Sequence, residues 1–336
     1  MRPGGKPRRE GCAGMSGAAR RLLGLDALRG IAALCVLALH AHAVFGGYPG
    51  WFGKGYLAVD FFAMLSGFLM VLVAEPRFVQ RRARAIPFLL ARFRRFWPMM
   101  AIGFAIGLPY LWVSSHSVWQ FFAAAGANSL FLPYPLRNLV FALNVPAWTV
   151  FFELACNIAH VAVLRRVSTP RLTLLVLALL VVTVLTAQRF GSLDLGARPE
   201  TLLAGFPRIF FAYTAGMLIG RLSGGQSFAP VPAPVAIVAM PLAMIAAWRF
   251  GWSGWPFDLA FVVVLCPLVI AGALRIVRQT RLGWFSAALS FPLFATHVPV
   301  LEAVRQLGYG VAVAVPLALA LAGGIVIWQA RRSISL

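Results

Sequence analysis

Stretches of roughly 20 mostly apolar residues, separated by short arginine-bearing segments, constrain this chain more than any other feature. They lie near 24–46, 56–74, 95–114, 146–164, 171–188, 202–220, 231–249, 257–275, 283–304 and 310–330. An α-helix of that length crosses the hydrocarbon core of a bilayer with its backbone polar groups satisfied internally. Of the 336 residues, 61% are hydrophobic and 12% charged, too much apolar surface for one water-soluble core to hide. The expected fold is therefore all-α: a polytopic integral membrane helical bundle with about ten transmembrane helices. The region 117–145, with Pro133, Pro135 and the following Pro146, is the exception and is expected to hold a re-entrant or interfacial helix.

The charge is lopsided, with 30 Lys and Arg against nine Asp and Glu. Nucleic acid is not the implied partner, because the arginines sit between apolar runs and not along one face among exposed aromatics. With the N-terminus inside, cytoplasmic segments collect 22 of the basic residues and outer loops six, a positive-inside asymmetry that an odd number of spans would break. Both termini are then cytoplasmic, with a basic segment at 1–22, a membrane-embedded body at 23–330 and a tail at 331–336. Only Lys6 and Lys54 are lysines, as in GC-rich bacterial genomes, which points to a bacterial inner membrane. Cys12, Cys35, Cys156 and Cys266 form no C-x-x-C pair, so neither a disulfide framework nor a metal site is expected.

Ionisable residues inside spans are costly and mark function. Arg29 and His40 are eleven residues apart on the first span, near three full turns, so they share a face at a spacing of about 16 Å. Asp60 and Ser66 on the second span, Glu153 on the fourth and His297 on the ninth reach comparable depths. His40, Asp60, Glu153 and His297 are thus expected to converge in one layer. Histidine and carboxylates without thiols or metal-type spacing suit general-base chemistry on a hydroxyl. A carboxylate, either Glu153 or Asp60, would orient the His40 ring. Arg92, Arg94 and Arg95 cluster in the loop after the second span, and such guanidinium groups suit a phosphorylated donor.

With those residues in view, five segments in order resemble the acyltransferase-3 family of membrane O-acyltransferases, including bacterial enzymes that acetylate surface polysaccharides. Leu25-Asp26-Ala27-Leu28-Arg29-Gly30, followed by His40, is similar to the family's Arg-x10-His first helix. Gly55 to Phe62, running on to Leu65-Ser66-Gly67-Phe68-Leu69, is similar to its G-x-x-x-V-D-x-F-F-x-x-S-G-F-L. Arg92-x-x-Arg95-x-x-Pro98 resembles R-x-x-R-x-x-P, and Trp148-Thr149 to Glu153 resembles W-[ST]-x-x-x-E. Ser290-Phe291 to His297 resembles S-[YF]-x-x-[YF]-x-x-H, with Phe291 and Phe294 where tyrosine is common.

The resemblance implies a ten-helix fold, acyl-CoA (commonly acetyl-CoA) as the donor substrate with no bound cofactor, and a sugar or glycan hydroxyl as acceptor. It also implies that His40 and Arg29 are essential. Expected roles follow: His40, Glu153 and Asp60 in catalysis; Arg29, Arg92 and Arg95 toward the donor; His297, Trp148 and Ser66 toward the substrate. Expected partners are the lipid bilayer and polysaccharide-biosynthesis proteins. The alternative from a different class is a proton-coupled transporter or flippase of a glycan or lipid-linked intermediate, with the buried His and carboxylates as a proton relay.

Overall fold

The computed structural model describes residues 23–46, 50–276, 278 and 280–334; the basic segment expected at 1–22 and residues 335–336 lie outside the described residues. In chain order the helices are α1 (Leu23–Phe45), α2 (Ala58–Leu69), α3 (Ala85–Ser114), α4 (Val118–Ser129), α5 (Ala147–Ala162), α6 (Thr169–Phe190), α7 (Leu202–Ser223), α8 (Ala233–Phe250), α9 (Trp255–Ala273), α10 (Arg281–Gln306) and α11 (Val311–Ile334). A π-helical turn at Met70–Ala74 carries α2 on into Glu75–Val79, and α9 contains a similar turn at Phe261–Leu265. Among the described residues nine helices are long and apolar enough to cross a membrane. The protein is an all-α polytopic membrane bundle. The end at which α1 starts, with exposed Arg81, Arg82 and Arg84 between α2 and α3, is called the basic end below.

Two expectations need correction. The third span was expected from 95, with Arg92 and Arg95 in the loop before it; α3 instead begins at Ala85 and places both within a helix. Three residues apart, they turn toward the same side, whereas a loop would impose no such relation. At the other terminus, α11 runs through Arg331 to Ile334, into the stretch expected as a tail.

The fourth expected crossing, 146–164, is α5, whose 16 residues extend about 24 Å, roughly a turn short of a 30 Å hydrocarbon core. The shortfall has a cause. The chain just before α5 is buried inside the bundle: a Cβ on Gly107 of α3 would collide with the Leu143 carbonyl, and Asn144 Nδ2 donates to Ala295 O of α10 at 2.8 Å. Non-helical backbone at such depth is tolerated where protein surrounds it. Before it, α4 doubles back along α3, with Trp112 and Phe121 rings 5.2 Å apart and Trp97 Nε1 donating to Ser129 O at 3.1 Å. Asn128 then clasps the return path, its Nδ2 donating to Leu132 O and Val140 O and its Oδ1 accepting from Leu143 N. Residues 117–145 therefore form a hairpin that doubles back along α3.

Two helices organise the rest. α10 packs against α1, α3 and α11, and α7 against α2, α5 and α6. Small residues set these distances, as is usual where lipid-like surroundings supply no hydrophobic drive between helices. A Cβ on Gly67 of α2 would collide with the Tyr213 carbonyl of α7, and one on Gly216 of α7 with the Met64 carbonyl of α2. Because the obstacle is backbone, Gly216→Ala should cost roughly 1–3 kcal/mol. The check is a lowered melting midpoint of the purified protein in detergent, with no such change for exposed Gly126→Ala.

Candidate active site

The site begins with the seam between α1 and α10. Ser286, Ser290 and His297 are spaced by four and seven residues and so share one face of α10. Ser286 Oγ donates to Ala27 O at 3.0 Å and Ser290 Oγ to Arg29 O at 3.2 Å. Gly30 lets the helices meet this closely, since a Cβ there would strike Ser286. The same register delivers buried His297 to half-buried His40, with Nε2 of His297 3.1 Å from Nδ1 of His40 and ring centroids 5.0 Å apart.

The backbone assigns the protons. His297 Nδ1 lies 2.9 Å from Leu293 O and 3.0 Å from Phe294 O. A carbonyl only accepts, so Nδ1 carries the hydrogen and Nε2 of the neutral ring is bare. His40 Nδ1, 2.9 Å from Val36 O, donates likewise and shares its hydrogen with His297 Nε2. This leaves Nε2 of His40 unprotonated, the form a general base requires. The ring is oriented by a histidine and a carbonyl, and not by the expected carboxylate.

Glu153 and Asp60 are elsewhere. Glu153 lines a cavity of about 360 Å³ that extends from Asp26 near the start of α1 to Val59 near the start of α2. Ser66 Oγ donates to Glu153 Oε1 at 3.2 Å, and Arg29, Arg92 and Arg95 line the same space. Arg29 also bonds Asp26 at 2.6 Å, while Arg92 lies over the Phe88 ring and reaches Met70 Sδ. Phe291 and Phe294 line the cavity with stacked rings 6.2 Å apart. Phe294 also lies 6.4 Å from the His297 ring and so links the cavity to the histidine pair.

Asp60 is fully buried and its carboxylate takes Arg208 of α7, with Nη2 to Oδ2 at 2.6 Å and Nε to Oδ1 at 3.0 Å. The four-residue layer expected from depth therefore divides into the histidine pair, a cavity carboxylate and a buried ion pair. Arg208 further donates to Leu195 O and Tyr56 O, both at 2.8 Å, and stacks over Trp148 at 5.7 Å. Trp148 thus packs on the ion pair and against Gly196, away from the cavity lining. A second buried carboxylate, Asp258, takes Lys54 at 2.6 Å, Tyr56 OH at 2.7 Å and Leu193 N at 2.9 Å. Arg208, Asp258 and the cavity-lining Tyr213 escaped the sequence reasoning. For Arg208 and Asp258 the signal was present, since each is a charge within an apolar span.

A membrane-embedded helical bundle with an arginine-lined cavity next to a base-competent histidine is laid out as an integral membrane enzyme of group transfer. Over residues 22–329 the chain matches the acyltransferase-3 family, described as "Acyltransferase domain", and it belongs to that family; it is an acyltransferase. It is similar to "Protein 2 in picA locus" of Rhizobium radiobacter, at 32% identity over 185 residues covering 50% of this chain and 94% of that protein. It is also similar to "Exopolysaccharide production protein ExoZ" of Rhizobium meliloti (strain 1021), at 24% identity over 284 residues covering 79% of this chain and 82% of that one. No solved structure matches the chain.

Proposed function

We propose that this enzyme moves an acyl group, acetyl in the first instance, from cytoplasmic acyl-CoA to a sugar hydroxyl of a cell-surface or exported glycan. The observation that carries it is the His40–His297 pair, whose contacts leave His40 Nε2 as a ready base three helical turns from Arg29 in the cavity. The name of the exopolysaccharide-production relative supports a glycan acceptor. The 22-to-six distribution of basic residues supports a bacterial inner-membrane orientation with both termini and the basic end in the cytoplasm, where acyl-CoA is found.

In this reading Arg92 and Arg95 hold the phosphates of CoA, and Arg29 lies beside the pantetheine arm as it enters the cavity. His40 Nε2 takes the proton of the acceptor hydroxyl as its oxygen attacks the thioester carbonyl. His297 steadies the imidazole and accepts its Nδ1 hydrogen. Ser66 holds the carboxyl group of Glu153 within the cavity, and Trp148 and Asp60 act by fixing Arg208. Direct transfer needs no acyl-histidine intermediate.

The donor half is tested on purified protein by thermal shift. Acetyl-CoA is expected to raise the melting midpoint of the wild type. Loss of a charge-assisted phosphate contact in Arg95→Ala should weaken apparent affinity roughly 10- to 100-fold. A wild type that acetyl-CoA does not stabilise would remove the donor assignment, and unchanged affinity in Arg95→Ala would remove the phosphate role.

A further inference from the structure

One face of α5 carries polar groups that the mechanism above does not use. Glu153, Asn157 and His160 follow one another at intervals of four and three residues, so they form a stripe running from the cavity toward the basic end. Asn157 and His160 are both fully buried. Neither Asn157 Nδ2 nor Oδ1, nor either ring nitrogen of His160, has a hydrogen-bonding partner among the described residues. Tyr213 of α7 adds a third such group: its hydroxyl is buried and unpartnered, and its ring lies 6.0 Å from that of His160. Beyond His160 stands Glu75, with Oε1 3.5 Å from His160 Nε2, a contact too poorly formed for a hydrogen bond.

Buried polar groups without partners are rare, because each costs the full penalty of its lost hydration. Here five such atoms on adjacent helices lie between two carboxyl groups. Neighbours on a helix face stand about 5–6 Å apart at Cβ, yet no hydrogen bond links these side chains directly, an arrangement suited to a bridging water between each pair. The stripe also reaches solvent, because the Glu75 side chain keeps 18% of its surface accessible and is held there by Arg221 at 3.2 Å.

We infer that Glu153, Asn157, His160 and Glu75, bridged by water and flanked by Tyr213, form a proton path from the cavity to the basic end. The inference rests on the acyl-transfer reading and gives the path its task. Attack of the acceptor oxygen forms the new C–O bond and breaks the thioester C–S bond, and the acceptor's proton goes to His40 Nε2. The thiolate of the departing donor takes a proton from Glu153, which is in its carboxylic-acid form at that point and is reprotonated along water held in place by Asn157, by way of His160 and Glu75. His40 later releases its proton on the side where the acceptor binds. Per turnover, one proton enters at the basic end and one leaves by His40.

The test compares Asn157→Leu and His160→Phe with wild type in detergent, using acetyl-CoA and a soluble sugar acceptor. Both variants are expected to lower kcat by about 10-fold or more, the scale of a lost proton-transfer partner, with donor KM unchanged. The solvent deuterium isotope effect on kcat should rise, and imidazole in the buffer should restore part of the rate. Asn157→Ser, which keeps a polar group and leaves room for water, should retain near-normal kcat. Variants with wild-type kcat and isotope effect, or a slow Asn157→Leu that imidazole cannot restore, would overturn the path. Wild-type protein that fails to transfer at all would instead count against the acyl-transfer reading, so the two failures are distinct.

Discussion

His40→Ala is expected to lower acyl transfer by about 10²–10⁴-fold while the protein remains inserted at normal abundance. The magnitude is that of a lost general base. The expectation of normal insertion comes from the surroundings. His40 is half-buried and, among the described residues, bonds Val36 O and His297 Nε2, so alanine leaves one nitrogen of a neutral ring without its donor. The α1–α10 seam keeps its remaining ties, the Ser286 and Ser290 bonds to the α1 backbone. Mass spectrometry of surface glycans from cells carrying the variant, with immunoblotting of membranes, reads both quantities. Normal product at normal abundance would exclude His40 as the base.

The second large effect concerns stability. Asp60→Ala strands the Arg208 guanidinium in a fully buried site and should cost about 3–5 kcal/mol, the usual penalty for breaking a buried pair from one side. Arg208 would keep Tyr56 O and Leu195 O but lose the ion pair that it makes among the described residues. Replacing both members with apolar residues, Asp60→Leu with Arg208→Met, should recover most of that loss, because neither charge is then left unpaired. The double variant also separates structure from chemistry. Transfer per folded molecule close to wild type would assign Asp60 to positioning, whereas a folded but inactive double variant would return it to the reaction. Melting in detergent and transfer by the surviving protein are the two measurements.

Some of this architecture was legible in the chain and some was not, for a geometric reason. Hydropathy and helical rise report how far along a span a residue lies, and the helix bounds accordingly follow the apolar runs closely, as at Leu202–Ser223 for 202–220. They do not report which helix stands beside which. His40 and His297, 257 residues apart, do meet as their common depth suggested. Asp60 has the same depth, yet its partner is Arg208 on α7, a choice made by the glycine contacts between α2 and α7. The start of α3 was misplaced because Arg92 and Arg95 look like loop residues to a hydropathy reading. Their aliphatic stems and the cavity beside them let a helix carry both. The hairpin at 117–145 was legible only as an anomaly, since its return path depends on the side chain of Asn128.

The Asp60–Arg208 pair also bears on biosynthesis. Asp60 enters the membrane 148 residues ahead of the arginine that neutralises it. A charge at a span centre costs about 2.5–3.5 kcal/mol on insertion scales; Asp60, in the first turn of α2, sits toward one end, and the early segment must carry its smaller cost on its own apolarity. It is equipped to do so: the most apolar 18 residues within Gly50–Val79 have a mean hydropathy of 2.3, against 1.5 for those within Pro199–Ser223, the span that brings Arg208. The later span is the weaker inserter, and it arrives when a carboxylate is already waiting in the bilayer. Synthesis order thus lets the strongly apolar α2 go first and serve as the docking partner that helps α7 remain in the membrane.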